Sequence, residues 1–191
     1  MEGKIVYEGK TKDGQSFMLR YPKPEDLEKL LEFINKLSAE ETFIRYQGEV
    51  ITLEQEKEYL DKLLKDINEG KTVEVLLFVG DKLAGNAGVV LKTLNQNHVG
   101  LFGISLLKEF RGMGLGKLFM EKVMEEAKNK LPGLKTIELS CFVNNEAAIN
   151  LYKQFDFQEF GRLPDGLKRK GQYFEQVFMF KKVVWSGRIL H

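Results

Sequence analysis

The sequence has one cysteine and two histidines in 191 residues. A single thiol, Cys141, excludes an internal disulfide and suits a reducing compartment, here read as the cytoplasm. It lies in an apolar, strand-like run, which makes it a small buried hydrophobe rather than a nucleophile. His98 and His191 cannot assemble a metal site by themselves, so no metal is expected. No charge excess exists either: 29 basic residues face 28 acidic ones, a formal net of +1. The chain therefore has no electrostatic reason to bind nucleic acid or an anionic membrane surface. No apolar run approaches the roughly 18 residues of a membrane span, and Met1-Glu2-Gly3-Lys4 does not lead into a signal-peptide core. Internal repeats and low-complexity segments are absent. The length suits one domain, taken as residues 1–184 with a tail at 185–191, large enough to bury a substantial core.

What is present reads first as a hairpin, with Ile5–Glu8 and Ser16–Tyr21 flanking Lys12-Asp13-Gly14. Pro22 and Pro24 mark the start of a helix with Glu25 and Asp26 in its first turn and an apolar stripe of Leu27, Leu30, Leu31, Ile34 and Leu37. Residues 38–50 show no clean period. A second helix begins at Thr52, where Gln55 completes a capping box, and its stripe is Leu53, Leu60, Leu63, Leu64 and Ile67. Strands follow at Val73–Val79 and Leu83–Leu91, with Gly85 and Gly88 pointing to a bulge or a close backbone approach. Beyond the centre of the chain, Thr136–Phe142 is a strand, Asn145–Phe155 a helix, and Gln158–Leu163 and Tyr173–Val184 the last strands. These two strands are expected to be joined by the turn Pro164-Asp165-Gly166 and the basic run Lys168-Arg169-Lys170. Antiparallel strands followed by strand-helix-strand-helix indicate an α/β chain, more closely an α+β mixed sheet, with helices on its faces.

The centre of the chain is Phe102–Lys117. An apolar strand ends at Leu107, a charged turn follows, and glycines alternate at Gly112, Gly114 and Gly116. From Leu115 onward the apolar positions fall at helical spacing. A strand, a glycine loop and a helix N-terminus together aim backbone N–H groups and the positive helix end at one small volume, which suits a phosphate. The dinucleotide pattern fails because Lys117 stands at its last glycine. The P-loop pattern fails because Arg111 replaces its first glycine and Leu118 follows Lys117. What fits is Arg111-x-x-Gly114-x-Gly116.

With this R-x-x-G-x-G signature the sequence resembles the GNAT N-acetyltransferase superfamily. A second motif agrees: Asn145-x-x-Ala148-x-x-Leu151-Tyr152 runs to Asp156-Phe157, similar to the superfamily's N-x-x-A-x-x-L-Y-x-x-x-G-F element. Asp156 replaces the usual glycine and tolerates the left-handed backbone of a helix C-cap. The resemblance covers roughly residues 16 to 184. It implies a GNAT-like acyl-CoA N-acyltransferase fold, mostly antiparallel, with a central strand-loop-helix and helices on both faces.

The resemblance also implies acetyl-CoA as co-substrate and an amine acceptor, either a small molecule or a protein N-terminus; it admits a homodimer. The strand at Ile104, Ser105 and Leu106 would splay from its neighbour and offer backbone groups to the pantetheine arm, the Leu106 N–H serving the oxyanion. Gly112, Met113, Gly114, Leu115, Gly116 and Lys117 would hold the pyrophosphate by their backbone, with the Arg111 side chain orienting the loop. Asn145 would contact the pantetheine arm, and Tyr152 would protonate the leaving thiolate as the catalytic acid. The general base is not evident. Ser140 stands where the ribosomal-protein alanine acetyltransferase branch has glutamate, and the strand-borne Glu74, Glu138, Glu159 and Glu175 read as outward-facing charges. The acceptor is expected between the early helices and the last strands, near Gly171-Gln172-Tyr173-Phe174-Glu175, with Glu40, Glu41 and Glu175 able to attract a cationic amine. The alternative is a catalytically silent acyl-CoA-binding module.

Overall fold

Residues 5–20 fold as the expected hairpin. Strand β1 (Ile5–Lys10) pairs antiparallel with β2 (Ser16–Arg20) around a turn in which Thr11 hydrogen-bonds Asp13 and Gln15. At the end of β2 the buried Arg20 forks onto Asp26, with Nη1 donating to Oδ2 at 2.7 Å and Nη2 to Oδ1 at 2.6 Å. Asp26 also accepts the Lys23 N–H. This pair fixes a 3-10 turn, Pro24–Asp26, from which helix α1 (Leu27–Ala39) departs. Helix α2 (Leu53–Asn68) carries the expected Thr52–Gln55 capping box. Its buried stripe differs from expectation at one point. Leu53 is 51% exposed, whereas Glu56, one turn before Leu60 on the same face, is 5% exposed.

The computed structural model describes residues 1–183, so the tail at 185–191 lies outside the described residues. The remaining elements are β3 (Thr72–Val79), β4 (Lys82–Leu91), β5 (Val99–Leu106), α3 (Leu115–Lys130), β6 (Thr136–Phe142), α4 (Glu146–Gln154), β7 (Gln158–Arg169) and β8 (Gln172–Lys182). The strands form one sheet in the order β1-β2-β3-β4-β5-β6-β8-β7, antiparallel except where β5 meets β6. Every residue of β3 is buried, because α1 and α2 cover one face of the sheet and α3 the other. The expected bulge lies between Leu77 and Phe78 of β3, where the β4 pairing skips Ala84. A methyl group at the adjacent Gly85 would come within 2.6 Å of the Ser105 carbonyl oxygen, so the close backbone approach is real as well.

The last hairpin departs from expectation. Pro164-Asp165-Gly166 is not a turn; it lies within β7, where the pairing with β8 shifts register between Leu163 and Leu167. β7 is a sheet edge, and an edge strand tolerates a proline and a bulge because no further strand needs its N–H groups. The turn is instead Lys170-Gly171, with φ of 48° and 77°, the two positive values a two-residue hairpin requires. Within the basic run, Lys168 stacks on Tyr173, and Arg169 stacks on Phe43 at 4.5 Å and on Phe174 at 5.4 Å. The segment after α1 is thereby fastened to the last hairpin.

Candidate active site

β5 and β6 run parallel only from Val99 to Leu101 against Thr136 to Glu138, and then separate. The separation exposes one edge of the second half of β5. Val99 C=O accepts from Lys92 and Leu107 N–H donates to Ala84, both towards β4. Strand alternation then turns the backbone of Ser105 towards β4, and that of Ile104 and Leu106 into the gap. Of the three expected strand residues, two therefore offer backbone groups to the gap. Ser105 instead lines a cavity on the other side of β5.

The glycine loop follows β5 at the open end of this gap. Gly112 and Gly114 have φ of 76° and 79°, values costly for any residue with a Cβ. Gly114 caps α3 without a side-chain hydrogen bond, and the first turn of the helix has no acidic residue. The backbone N–H groups of Gly112, Met113, Gly114, Leu115, Gly116 and Lys117 donate to no described residue. Helix start, strand end and α4 meet at Gly116, where a methyl group would stand 3.5 Å from Leu106 and 4.0 Å from Leu151.

The loop is held by a clamp. Arg111 donates from Nε to the Leu106 carbonyl at 2.8 Å and from Nη2 to Glu40 at 2.6 Å. The other Glu40 oxygen accepts the Lys108 N–H at 2.9 Å. Arg111 thus ties the loop both to the end of β5 and to the residue that caps α1. The sequence offered Glu40 as an attractor of the acceptor amine; the structure occupies it in this clamp. Glu41 is likewise paired, with Lys170 at 3.4 Å, and Glu175 with Arg162 at 3.0 Å. The stretch Gly171–Glu175 does not line the cavity. One cation went unnoticed in the sequence. Lys12, in the first hairpin turn, brings its Cε to 4.0 Å from where a Gly114 methyl would stand.

Helix α4 carries Asn145 at its N-cap and Tyr152 in the turn that packs against Phe102 of β5. Asn145 caps the helix, its Oδ1 accepting from Ala148 N–H at 3.3 Å, which leaves its Nδ2 unused among the described residues. At the other end Phe157 N–H bonds Tyr152 C=O and Asp156 N–H bonds Lys153 C=O, with Asp156 at φ of 62°. This is a Schellman motif, in which the buried Phe157 packs back on the Tyr152 ring at 6.1 Å. Phe102 of β5 meets the same ring edge-on at 6.3 Å. The ring is thus wedged between strand and helix end, and its hydroxyl makes no hydrogen bond to a described residue. Burial raises the Tyr152 phenol above its ordinary range, neighbouring Cys141 adding to the effect. Cys141 itself is buried and pushed up to about 11, the opposite of an activated nucleophile.

On the other face of β5 a cavity of about 390 Å³ opens between α1, residues 44–51, α2 and the side chains of Asn86 and Ser105. Glu74 lies behind it. The sequence reading placed Glu74 outward, but in a strand covered on both faces neither direction leads to water. Its carboxyl accepts from Asn86 Nδ2 at 3.0 Å, and burial pushes it up to about 7. A methyl group at Gly88 would overlap Glu74 Oε2, so this glycine makes room for the carboxyl. Burial also raises Glu56. The other strand-borne candidates are outward-facing and paired: Glu138 with Lys92, Glu159 with Arg162. Ser140 holds a hydrogen bond from Gln176. Two signals could have found the buried carboxyls. Glu74 interrupts a near-continuous apolar strand, and Glu56 occupies an apolar position of a helical stripe. Among the described residues no cluster of His, Cys, Asp or Glu could hold a metal, and no helix is long and apolar enough to cross a membrane.

The family model described as Acetyltransferase (GNAT) family matches residues 30–157, well over half the chain and including the glycine loop and α4. Among curated proteins, the chain is 31% identical over 84 residues to an L-amino acid N-acetyltransferase of Escherichia coli. That match covers 44% of this chain and about half of the relative, 51%. Among solved structures, an acetyltransferase of the same family from Streptococcus pneumoniae superposes with a TM-score of 0.79 at 24% identity, covering 88% of this chain and 99% of that one. RimL, a ribosomal alpha-N-protein acetyltransferase solved with coenzyme A, superposes at 0.78 with 16% identity, covering 94% and 98%. At these identities the structural likeness speaks for the fold.

Proposed function

The chain belongs to the GNAT acetyltransferase family, and from that premise we propose that it transfers the acetyl group of acetyl-CoA directly to a primary amine. The observation that carries this reading is the run of unpaired N–H groups from Gly112 to Lys117 at the open end of the β5–β6 gap. Such a nest, at a helix N-terminus without an acidic first turn, suits a pyrophosphate and would repel little of its charge. Lys12 adds a cation beside Gly114. The solved relative that holds coenzyme A lends the same support.

When bound, acetyl-CoA would supply the acetyl thioester. The backbone N–H and C=O of Ile104 would pair with the amides of its pantetheine arm, much as a further strand would. Asn145 would donate its spare Nδ2 to the same arm. The Leu106 N–H would donate to the thioester carbonyl oxygen as negative charge grows there. Tyr152 keeps its proton at neutral pH, because burial raises the phenol, and would give it to the departing sulfur. The wedge of Phe102 and Phe157 holds the ring for that transfer. The lone cysteine of a chain without disulfides supports a cytoplasmic setting.

Tyr152→Phe tests the mechanism. The variant keeps the ring contacts and loses only the hydroxyl. Acetyl-CoA affinity measured by calorimetry is expected to stay within about twofold, while amine-dependent thiol release falls about a hundredfold, the lower range for loss of a general acid. Equal turnover in both proteins would remove Tyr152 from the chemistry. A wild-type protein that binds acetyl-CoA but releases no thiol with any amine would favour the silent binding module.

A further inference from the structure

The cavity between α1, α2 and the sheet is lined by one carboxyl, Glu56, and backed by a second, Glu74, and neither has an ion pair with a described residue. Glu56 lines it and is 5% exposed, yet its carboxyl has no hydrogen bond or ion pair with a described residue. Other buried or half-buried carboxylates among the described residues have a cationic neighbour. Arg20 has Asp26, Glu40 has Arg111, and Glu126 accepts from Tyr21 and reaches Lys4. A buried carboxyl left without a partner is strongly disfavoured in its ionised form unless a ligand compensates it.

Glu74 stands deeper, bonded only to the neutral Asn86. Tyr59 also lines the cavity from a position that is 45% exposed, and its phenol is raised first by the Glu74 charge, then by burial, Glu56 and Tyr46. The remaining polar groups at the cavity are Tyr46, Gln55, Asn86, Ser105 and, from an exposed position at its mouth, Arg45. Arg45 makes no ion pair with either carboxyl. The opposite wall is apolar, built from Leu30, Phe33 and Leu37 of α1 with Ile44 and Ile51. One end thus asks for positive charge and hydrogen-bond donors, and the other for hydrocarbon. Ser105 joins this cavity to the segment of β5 whose other neighbours, Ile104 and Leu106, face the gap.

We propose that this cavity is the acceptor site, that it takes a compact primary amine with an apolar body, and that Glu56 receives the ammonium. The assignment rests on the acetyltransferase reading for its chemistry but not for the binding itself. In the reaction the ammonium nitrogen gives one proton to the Glu56 carboxylate, which frees its lone pair. That lone pair forms the new C–N bond as the C–S bond breaks and its electrons leave on sulfur. The second nitrogen proton replaces the one that Tyr152 has given to the sulfur, and Glu56 returns its proton to water. Glu74 touches neither substrate and acts as a positioning residue that holds the Asn86 amide.

The probe is benzylamine, compared with benzyl alcohol, which has a similar shape and no charge. Binding to the wild-type protein is followed by NMR chemical shifts without acetyl-CoA, and by thiol release with it. Benzylamine is expected to shift resonances of Phe33, Tyr59 and Ser105 and to bind at least about tenfold more tightly than the alcohol. Glu56→Gln, which keeps side-chain shape, should abolish that preference and raise the amine KM at least about tenfold while leaving the KM for acetyl-CoA unchanged. A thermal melt checks that the variant is folded. No benzylamine binding at millimolar concentration, or an unchanged preference in Glu56→Gln, overturns the proposal. Selective amine binding without thiol release in the wild type would support the amine site and overturn the acetyltransferase reading instead.

Discussion

Replacing Glu74 by glutamine removes a titrating proton from the interior without changing the side chain's shape. In the folded protein burial pushes this carboxyl up to about 7, against an ordinary value of 4.5, with the Asn86 hydrogen bond opposing the shift. The sign follows from linkage. Below pH 4.5 the group is protonated folded and unfolded, and contributes its full share. As pH rises from there to about 7, the unfolded chain releases the proton while the native protein keeps it, so stability falls. Above about 7 both states are ionised and the loss is complete. At about 1.4 kcal/mol per pKa unit, the wild-type protein should lose about 3 kcal/mol through this group across that window. The assay is guanidinium unfolding of both proteins at several pH values from about 4.5 to 8. Subtracting the variant from the wild type cancels the other titrating groups. The variant should be the more stable protein at about pH 8 relative to its standing at about pH 4.5, by about 3 kcal/mol. A difference that stays constant with pH would mean that water reaches Glu74, and would refute the account of β3 as covered on both faces.

Two further substitutions probe the glycine loop. Gly114→Ala puts a Cβ on a residue with φ of 79° where only Lys12 lies within 4 Å, so its cost is backbone strain of about 1–2 kcal/mol, read by denaturant unfolding, with acetyl-CoA affinity falling as the nest distorts. Arg111→Ala cuts the clamp to Leu106 and Glu40. Because the pair is partly exposed, stability should change by less than about 1 kcal/mol, whereas acetyl-CoA affinity by calorimetry should drop about tenfold and Arg111→Lys, lacking the fork, should not restore it.

The proposed donor and acceptor sites flank one strand. β5 presents alternate backbone groups to the gap beside β6 and, through Ser105, a side chain to the cavity under α1 and α2. A transfer reaction needs its donor and acceptor to meet without sharing a pocket, and a strand open along one edge permits that. The parallel pairing that ends at Leu101 creates the opening. The Schellman end of α4 then packs Phe157 on the Tyr152 ring, against Phe102 of β5.

The sequence alone determined what local chemistry can dictate. Alternating glycines after an apolar strand announced an N–H nest because few other residues adopt those angles, and the Thr52–Gln55 box and the Asp156 cap are local hydrogen-bond patterns. Asn145 and Tyr152 were legible together because one short helix sets their spacing. The tertiary structure decided everything that depends on what lies across space. It turned Glu40, Glu41 and Glu175 from candidate attractors into ion-paired residues, by bringing Arg111, Lys170 and Arg162 to them. It placed Pro164-Asp165-Gly166 inside an edge strand, since only sheet order shows which strand needs no outer partner. Above all it buried Glu56 and Glu74. Whether a carboxylate faces water depends on which elements pack against its strand or helix, and long-range packing, unlike a turn or a cap, leaves no fixed spacing in the chain.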